Sequence, residues 1–117
     1  MDWLKVSAAL GFAGVALGAF GAHGLRHKLT PQLLDAYQTG VLYHLIHAVA
    51  LFGLALYART TSVAIGVPAS LFALGILLFS GSLYLLAVTS VNRLGLVTPL
   101  GGLCFLAAWA ALFWLKS

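Results

Sequence analysis

Charged residues interrupt this chain only at wide intervals, and the apolar stretches between them define its elements. Asp, Glu, Lys and Arg are absent from residues 6 to 25, 36 to 58, 60 to 92 and 94 to 115. Each stretch exceeds the ~17 residues that a helix needs to cross the hydrocarbon of a bilayer. The pattern predicts an all-α, polytopic membrane protein. Its four transmembrane helices would lie at about 3–22, 40–58, 63–88 and 97–115 and pack as an up-down bundle, one domain over residues 1–117.

The first predicted helix runs from Trp3 to Ala22. At 100° per residue, Ser7, Gly11, Gly14, Gly18, Gly21 and Ala22 fall on one stripe, and Gly14 with Gly18 forms a small-xxx-small pair. Lipid supplies little hydrophobic drive between helices, so close van der Waals packing across such a stripe must hold the bundle. The segment "TPQLLDAY" opens the second helix, with Thr30 as N-cap and Pro31 in the first helical position. From Pro31 to Ala58 it would measure about 42 Å, longer than the ~30 Å hydrocarbon core. Its first turns are therefore expected in the headgroup region, as an interfacial amphipathic segment bent near Gly40. The third helix lies within Ser62 to Val88, with Gly66, Ser70, Ala73, Ser80, Gly81 and Tyr84 on one face. Thr98 and Pro99 repeat the capping device before the fourth helix. There Gly101, beside Gly102, shares a small-residue face with Cys104, Ala108 and Ala111 and is expected to pack closely.

Composition agrees with the pattern. The chain is 62% hydrophobic and 7% charged, where soluble proteins carry roughly a quarter charged residues. Six cations against two anions would suggest nucleic acid in a soluble protein. Here the cations stand singly at helix ends, which fits lipid headgroups as the partner and no nucleic acid. His23, Arg26, His27 and Lys28 form a basic interfacial turn of this kind. Lys5 before an apolar run resembles a secretory signal, but the run is long and three more follow, so it reads as an uncleaved first helix. The single Cys104 lies in an apolar span and reads as a buried thiol. Lys5, Arg59 and Lys116 on the terminal side balance Arg26, Lys28 and Arg93 on the loop side, so the positive-inside rule returns a tie.

Candidate chemistry gathers on the second helix, where "YHLIH" (43 to 47) places two imidazoles in an apolar run. Tyr37, Gly40, His44 and His47 project within about 80° of one another, with Tyr43 at the edge. An ionisable residue inside a membrane faces the bundle interior and is a functional hypothesis by default. His44 and His47, with Tyr43, Tyr84 and Ser80 in reach, would form a polar or ligand site. Haem, a metal or a quinone are the ligands to weigh. A closed metal site needs about four ligands, and only His23 or His27 would add nitrogen, so the metal remains unknown and no cofactor is assigned. The competing reading makes both histidines interhelical glue, bonded to Ser80, Ser82, Thr98 or a carbonyl. Asp2 and Asp35 are the only carboxylate side chains, both outside the core, which excludes hydrolysis by a buried acid pair.

Four motifs in order, "LGAFGAHGL" (17 to 25), "YQTGVLYHLIHA" (37 to 48), "FSGSLY" (79 to 84) and "TPLGG" (98 to 102), resemble the small bacterial four-helix membrane proteins of the YgdD and YwdK type. Transmembrane protein 256 is a eukaryotic relative of that family. The resemblance covers nearly the whole chain and implies an inner-membrane protein without an assigned reaction. By matching motifs it directs attention to Gly18, Phe20, Gly21, His23, Gln38, His44 and His47, and then to Ser80, Gly81, Tyr84, Thr98, Pro99 and Gly102. The leading expectation is a non-enzymatic structural or envelope-homeostasis component that forms a homo-oligomer or joins a larger membrane complex. The alternatives are a haem, metal or quinone binder built on His44 and His47, and a minimal dual-topology transporter suggested by the charge tie.

Overall fold

The computed structural model describes residues 1–115, so Lys116 lies outside the described residues. Four helical stretches, Trp3–Leu25, Pro31–Thr61, Gly66–Thr89 and Asn92–Leu112, are long and apolar enough to cross a membrane. They pack side by side in a body of 47 × 26 × 19 Å. The architecture is all-α, and the long axis follows the helices.

The first span consists of α1 (Trp3–Phe20) and a π turn over Gly21–Leu25. Asp2 caps it by accepting from the Lys5 backbone N–H at 3.3 Å. The second span is one helix, α2 (Pro31–Thr61), capped by Thr30, whose hydroxyl accepts from the Leu33 N–H at 3.3 Å. The third joins α3 (Gly66–Gly75), a π turn at Ile76–Ser80 and α4 (Gly81–Thr89). A 3-10 turn at Asn92–Leu96 leads into α5 (Thr98–Leu112). The second and third spans both stop on a serine in the left-handed region, Ser62 at φ 58° and Ser90 at φ 59°. Each serine N–H is bonded to the carbonyl four residues back, which ends the helix as a left-handed cap does.

The second span is central, with α1 on one side and α3 and α4 on the other. Its buried face is Tyr37, Gly40, His44, His47, Ala48, Leu51, Leu54 and Ala55. Three apolar clusters follow one another along it. Leu51, Leu54, Ile65, Ala69, Phe72 and Ala108 pack near the N-terminus of the chain, where Trp3 also packs. Ala48, Ile76 and Phe105 occupy the middle, and Leu25, Tyr37 and Ala87 the opposite end.

Glycines set the close approaches. A Cβ on Gly14 would stand 2.7 Å from Leu45 Cδ2, and one on Gly18 would stand 3.1 Å from Val41 Cγ1. A Cβ on Gly21 would run into the Tyr37 ring, one on Gly75 into the Phe105 ring, and one on Gly101 into the backbone of Phe79. Gly11 and Gly81, expected to pack closely, have open space where a Cβ would be, and Gly102 meets only Phe79 Cδ2 at 3.9 Å. The tight stripe of the first span is therefore Gly14, Gly18 and Gly21.

The structure corrects four expectations. The second helix continues without a break through Gly40, so its first turns belong to α2 and are not a distinct piece. Gly40 serves close approach instead, since a Cβ there would stand 3.0 Å from Tyr84 Cε1 and 3.3 Å from Leu83 Cβ. The first span extends past Ala22 to Leu25, because the π turn carries the helical path onward. The buried face of the third span is Ala69, Phe72, Ile76, Ser80, Leu83 and Ala87, whereas Gly66 and Ser70 are exposed. Lipid-facing and core-facing positions are equally apolar in a membrane, so small residues misled at Gly66 and Ser70, whereas Ser80 and Tyr84 of the same expected face do turn towards α2. Finally, Thr98 does not cap α5. Its hydroxyl pairs with Ser82 Oγ at 2.6 Å, joining the third and fourth spans.

Candidate functional site

His44 lies between three spans. Its Nε2 is 2.7 Å from the Leu10 carbonyl of α1, and its Nδ1 is 2.8 Å from the Tyr84 hydroxyl of α4. A carbonyl only accepts, so Nε2 carries the proton and donates. In the neutral ring Nδ1 is then the acceptor, and the Tyr84 hydroxyl donates to it.

His47 stands one turn further along α2, at the midpoint of the helix, and holds the opposite tautomer. The Trp109 indole N–H of α5 donates to its Nε2 at 3.1 Å. An indole nitrogen cannot accept, so Nε2 carries the lone pair, and Nδ1–H donates to the Tyr43 carbonyl at 2.7 Å. The imidazole also lies flat on Phe105, with ring centroids 3.7 Å apart and planes 6° apart. Both histidines are buried, His44 at 4% and His47 at 5% exposure, and each ring nitrogen has one partner. The indole donor requires a neutral His47, and with His44 in its neutral form neither ring leaves a free lone pair for a metal.

Other polar groups extend the same arrangement along α2. Ser80, fully buried, donates from Oγ to the Gly40 carbonyl at 2.7 Å. Tyr37, whose ring lies 5.2 Å from that of Tyr84, donates its hydroxyl to the Leu17 carbonyl of α1. Among the described residues, no buried side-chain polar atom lacks a partner. Van der Waals packing is thus supplemented by bonds from α2 to every other span.

The sequence candidates separate in space. His44 and Tyr84 meet directly, and Ser80 is adjacent through Gly40. Tyr43 stacks near His47, with ring centroids at 5.9 Å, and against Phe79 at 4.6 Å, but it is 39% exposed. Of the glue partners expected for the histidines, a carbonyl serves His44, while Ser80, Ser82 and Thr98 bond elsewhere. His23, Arg26, His27 and Lys28 are exposed where the first span ends, and His23 Nδ1 is 3.0 Å from the Ala19 carbonyl. Neither His23 nor His27 joins the buried pair. No group of three or more His, Cys, Asp or Glu that could hold a metal occurs among the described residues.

Trp109 and Phe105, spaced i and i+4 on α5, are the residues that sequence reasoning missed. A signal existed, because an indole N–H within an apolar span needs an acceptor, and His47 offers one. The same two residues border a lateral groove between α2 and α5, with Tyr43 and His47 on its other wall and a volume of about 580 Å³.

Residues 17–102 match a family model described as "Protein of unknown function (DUF423)". The chain is 48% identical over 97 residues to the UPF0382 membrane protein YwdK of Bacillus subtilis, covering 81% of this chain and 79% of that protein. It is 44% identical over 108 residues to the UPF0382 inner membrane protein YgdD of Escherichia coli, with 92% and 82% covered. A UPF0382 membrane protein of Haemophilus influenzae is 43% identical over 110 residues, with 94% and 89% covered. No solved structure matches the chain.

Proposed function

We propose, since this chain belongs to the DUF423 family of membrane proteins, that it is a non-enzymatic structural component of the inner membrane which self-associates or joins a larger complex. One observation carries this reading: the two intramembrane histidines have all four ring nitrogens engaged within the protein, three of them in bonds between helices and the fourth on a carbonyl of α2 itself. An imidazole that ligates haem or metal must present a free lone pair. Here the Tyr84 hydroxyl and the Trp109 indole take both lone pairs.

Native mass spectrometry of the chain released from lipid nanodiscs tests the proposal, with His44→Ala and His47→Ala as variants. The expected spectra contain the bare chain or integer multiples of it with lipid adducts, and the variants lose thermal stability or assembly. An added mass equal to haem or a metal ion, absent from both variants, would overturn the reading.

A further inference from the structure

We propose that the lateral groove between α2 and α5 binds the head group of a membrane-dissolved quinone, held by the Tyr43 hydroxyl and by aromatic faces. The site is separate from the histidine nitrogens and goes beyond the structural role.

The groove has the form that such a ligand needs. It opens sideways to the bilayer, and its walls are Tyr43, His47 and Phe79 on one part and Phe105, Leu106 and Trp109 on another. Its volume of about 580 Å³ lies within the range of about 300–1,000 Å³ common for small-molecule sites. Planar side chains at this density offer faces to a flat ring, and the leucines offer a path for an apolar tail.

Tyr43 supplies the polar contact. Its carbonyl is taken by His47, but its hydroxyl has no hydrogen-bond partner among the described residues, in contrast to the hydroxyls of Tyr37 and Tyr84. It stands about one turn from the midpoint of a 31-residue helix, where water is scarce and an unmade hydrogen bond is costly. The groove thus combines stacking surface with a hydroxyl donor, and a quinone combines a flat ring with carbonyl acceptors. A phospholipid chain has no ring to stack, and a second copy of this protein would present side chains rather than a carbonyl at that depth.

The test uses the full chain in phosphatidylcholine nanodiscs with Trp3→Phe and Trp114→Phe, so that only Trp109 emits, titrated with decylubiquinone. Saturable quenching is expected. Tyr43→Phe, which keeps the ring and removes the hydroxyl, should weaken it by about tenfold, the scale of one lost hydrogen bond. Gly102→Leu should abolish it, since Gly102 lines the groove and a Cβ there meets nothing nearer than Phe79 Cδ2 at 3.9 Å. Quenching that rises linearly without saturating, or that is unchanged in Tyr43→Phe, would overturn the proposal. So would disulfide cross-linking between copies through Leu106→Cys in a Cys104→Ser background, which would show the groove filled by a second chain. The histidine variants do not enter this test, so its failure leaves the structural role standing.

Discussion

At the residue scale, opposed hydrogen-bond roles hold the histidines in place. His44 donates to α1 and accepts from α4, while His47 accepts from α5 and donates within its own helix. Interhelical hydrogen bonds in membrane proteins average about 0.6 kcal/mol and reach about 1.7. A double-mutant cycle with His44→Ala and Tyr84→Phe should return a coupling in that range, measured by unfolding in mixed micelles. The glycines make a sharper contrast. Gly101→Ala drives a Cβ into the Phe79 backbone, which no side-chain rotation can relieve, and should cost about 1–3 kcal/mol or more. Gly11→Ala meets open space and should be neutral, or stabilising by up to about 1 kcal/mol through helix propensity. Equal losses in both variants would refute the packing described. The histidines stood out in the sequence because imidazoles are rare in apolar spans. Trp109 did not, because an indole there passes for one more hydrophobic residue until its N–H is asked for an acceptor.

At the element scale, two π turns interrupt otherwise α-helical spans, at Gly21–Leu25 and Ile76–Ser80. A π turn holds about one residue more than an α turn, so deleting one residue there should restore α geometry and leave the flanking faces in register. Deleting Leu77 should therefore lower the melting temperature only modestly. Removal of Leu85, an equally lipid-facing leucine within α4, turns the flanking segments by about 100° relative to each other, and should prevent folding. Comparable melting curves for the two deletions would refute this. Span boundaries were legible because charged residues cannot enter hydrocarbon cheaply. The faces were less so. On α2 the buried stripe was marked by Tyr37, Gly40, His44 and His47, polar or small against a leucine background. On the third span Phe72, Ile76 and Leu83 are buried while Leu74, Leu77 and Leu85 face lipid, and nothing in their chemistry separates the two sets.

At the scale of the whole molecule, four antiparallel crossings place Met1 and Leu115 on one side, where Arg59 and Asp2 form an ion pair at 3.6 Å. With the positive charges balanced between the two sides, one residue should decide orientation. Arg93→Ala should shift reporters fused at either end toward the cytoplasm, and Lys5→Ala should shift them away from it. A reporter that keeps one sidedness in both variants would show that charge balance does not control insertion. The number of crossings was legible because bilayer thickness imposes it on the sequence; the joints between helices depend on which carbonyl meets which donor, and no periodicity encodes that. Those joints also give the molecule a built-in spectroscopic label. In a nitrogen-15 spectrum of the imidazoles, His44 should show its protonated nitrogen at Nε2 and His47 at Nδ1, each in slow exchange with solvent. Collapse of the two opposite patterns into a common one would report that the bundle has come apart, without any probe attached to the chain.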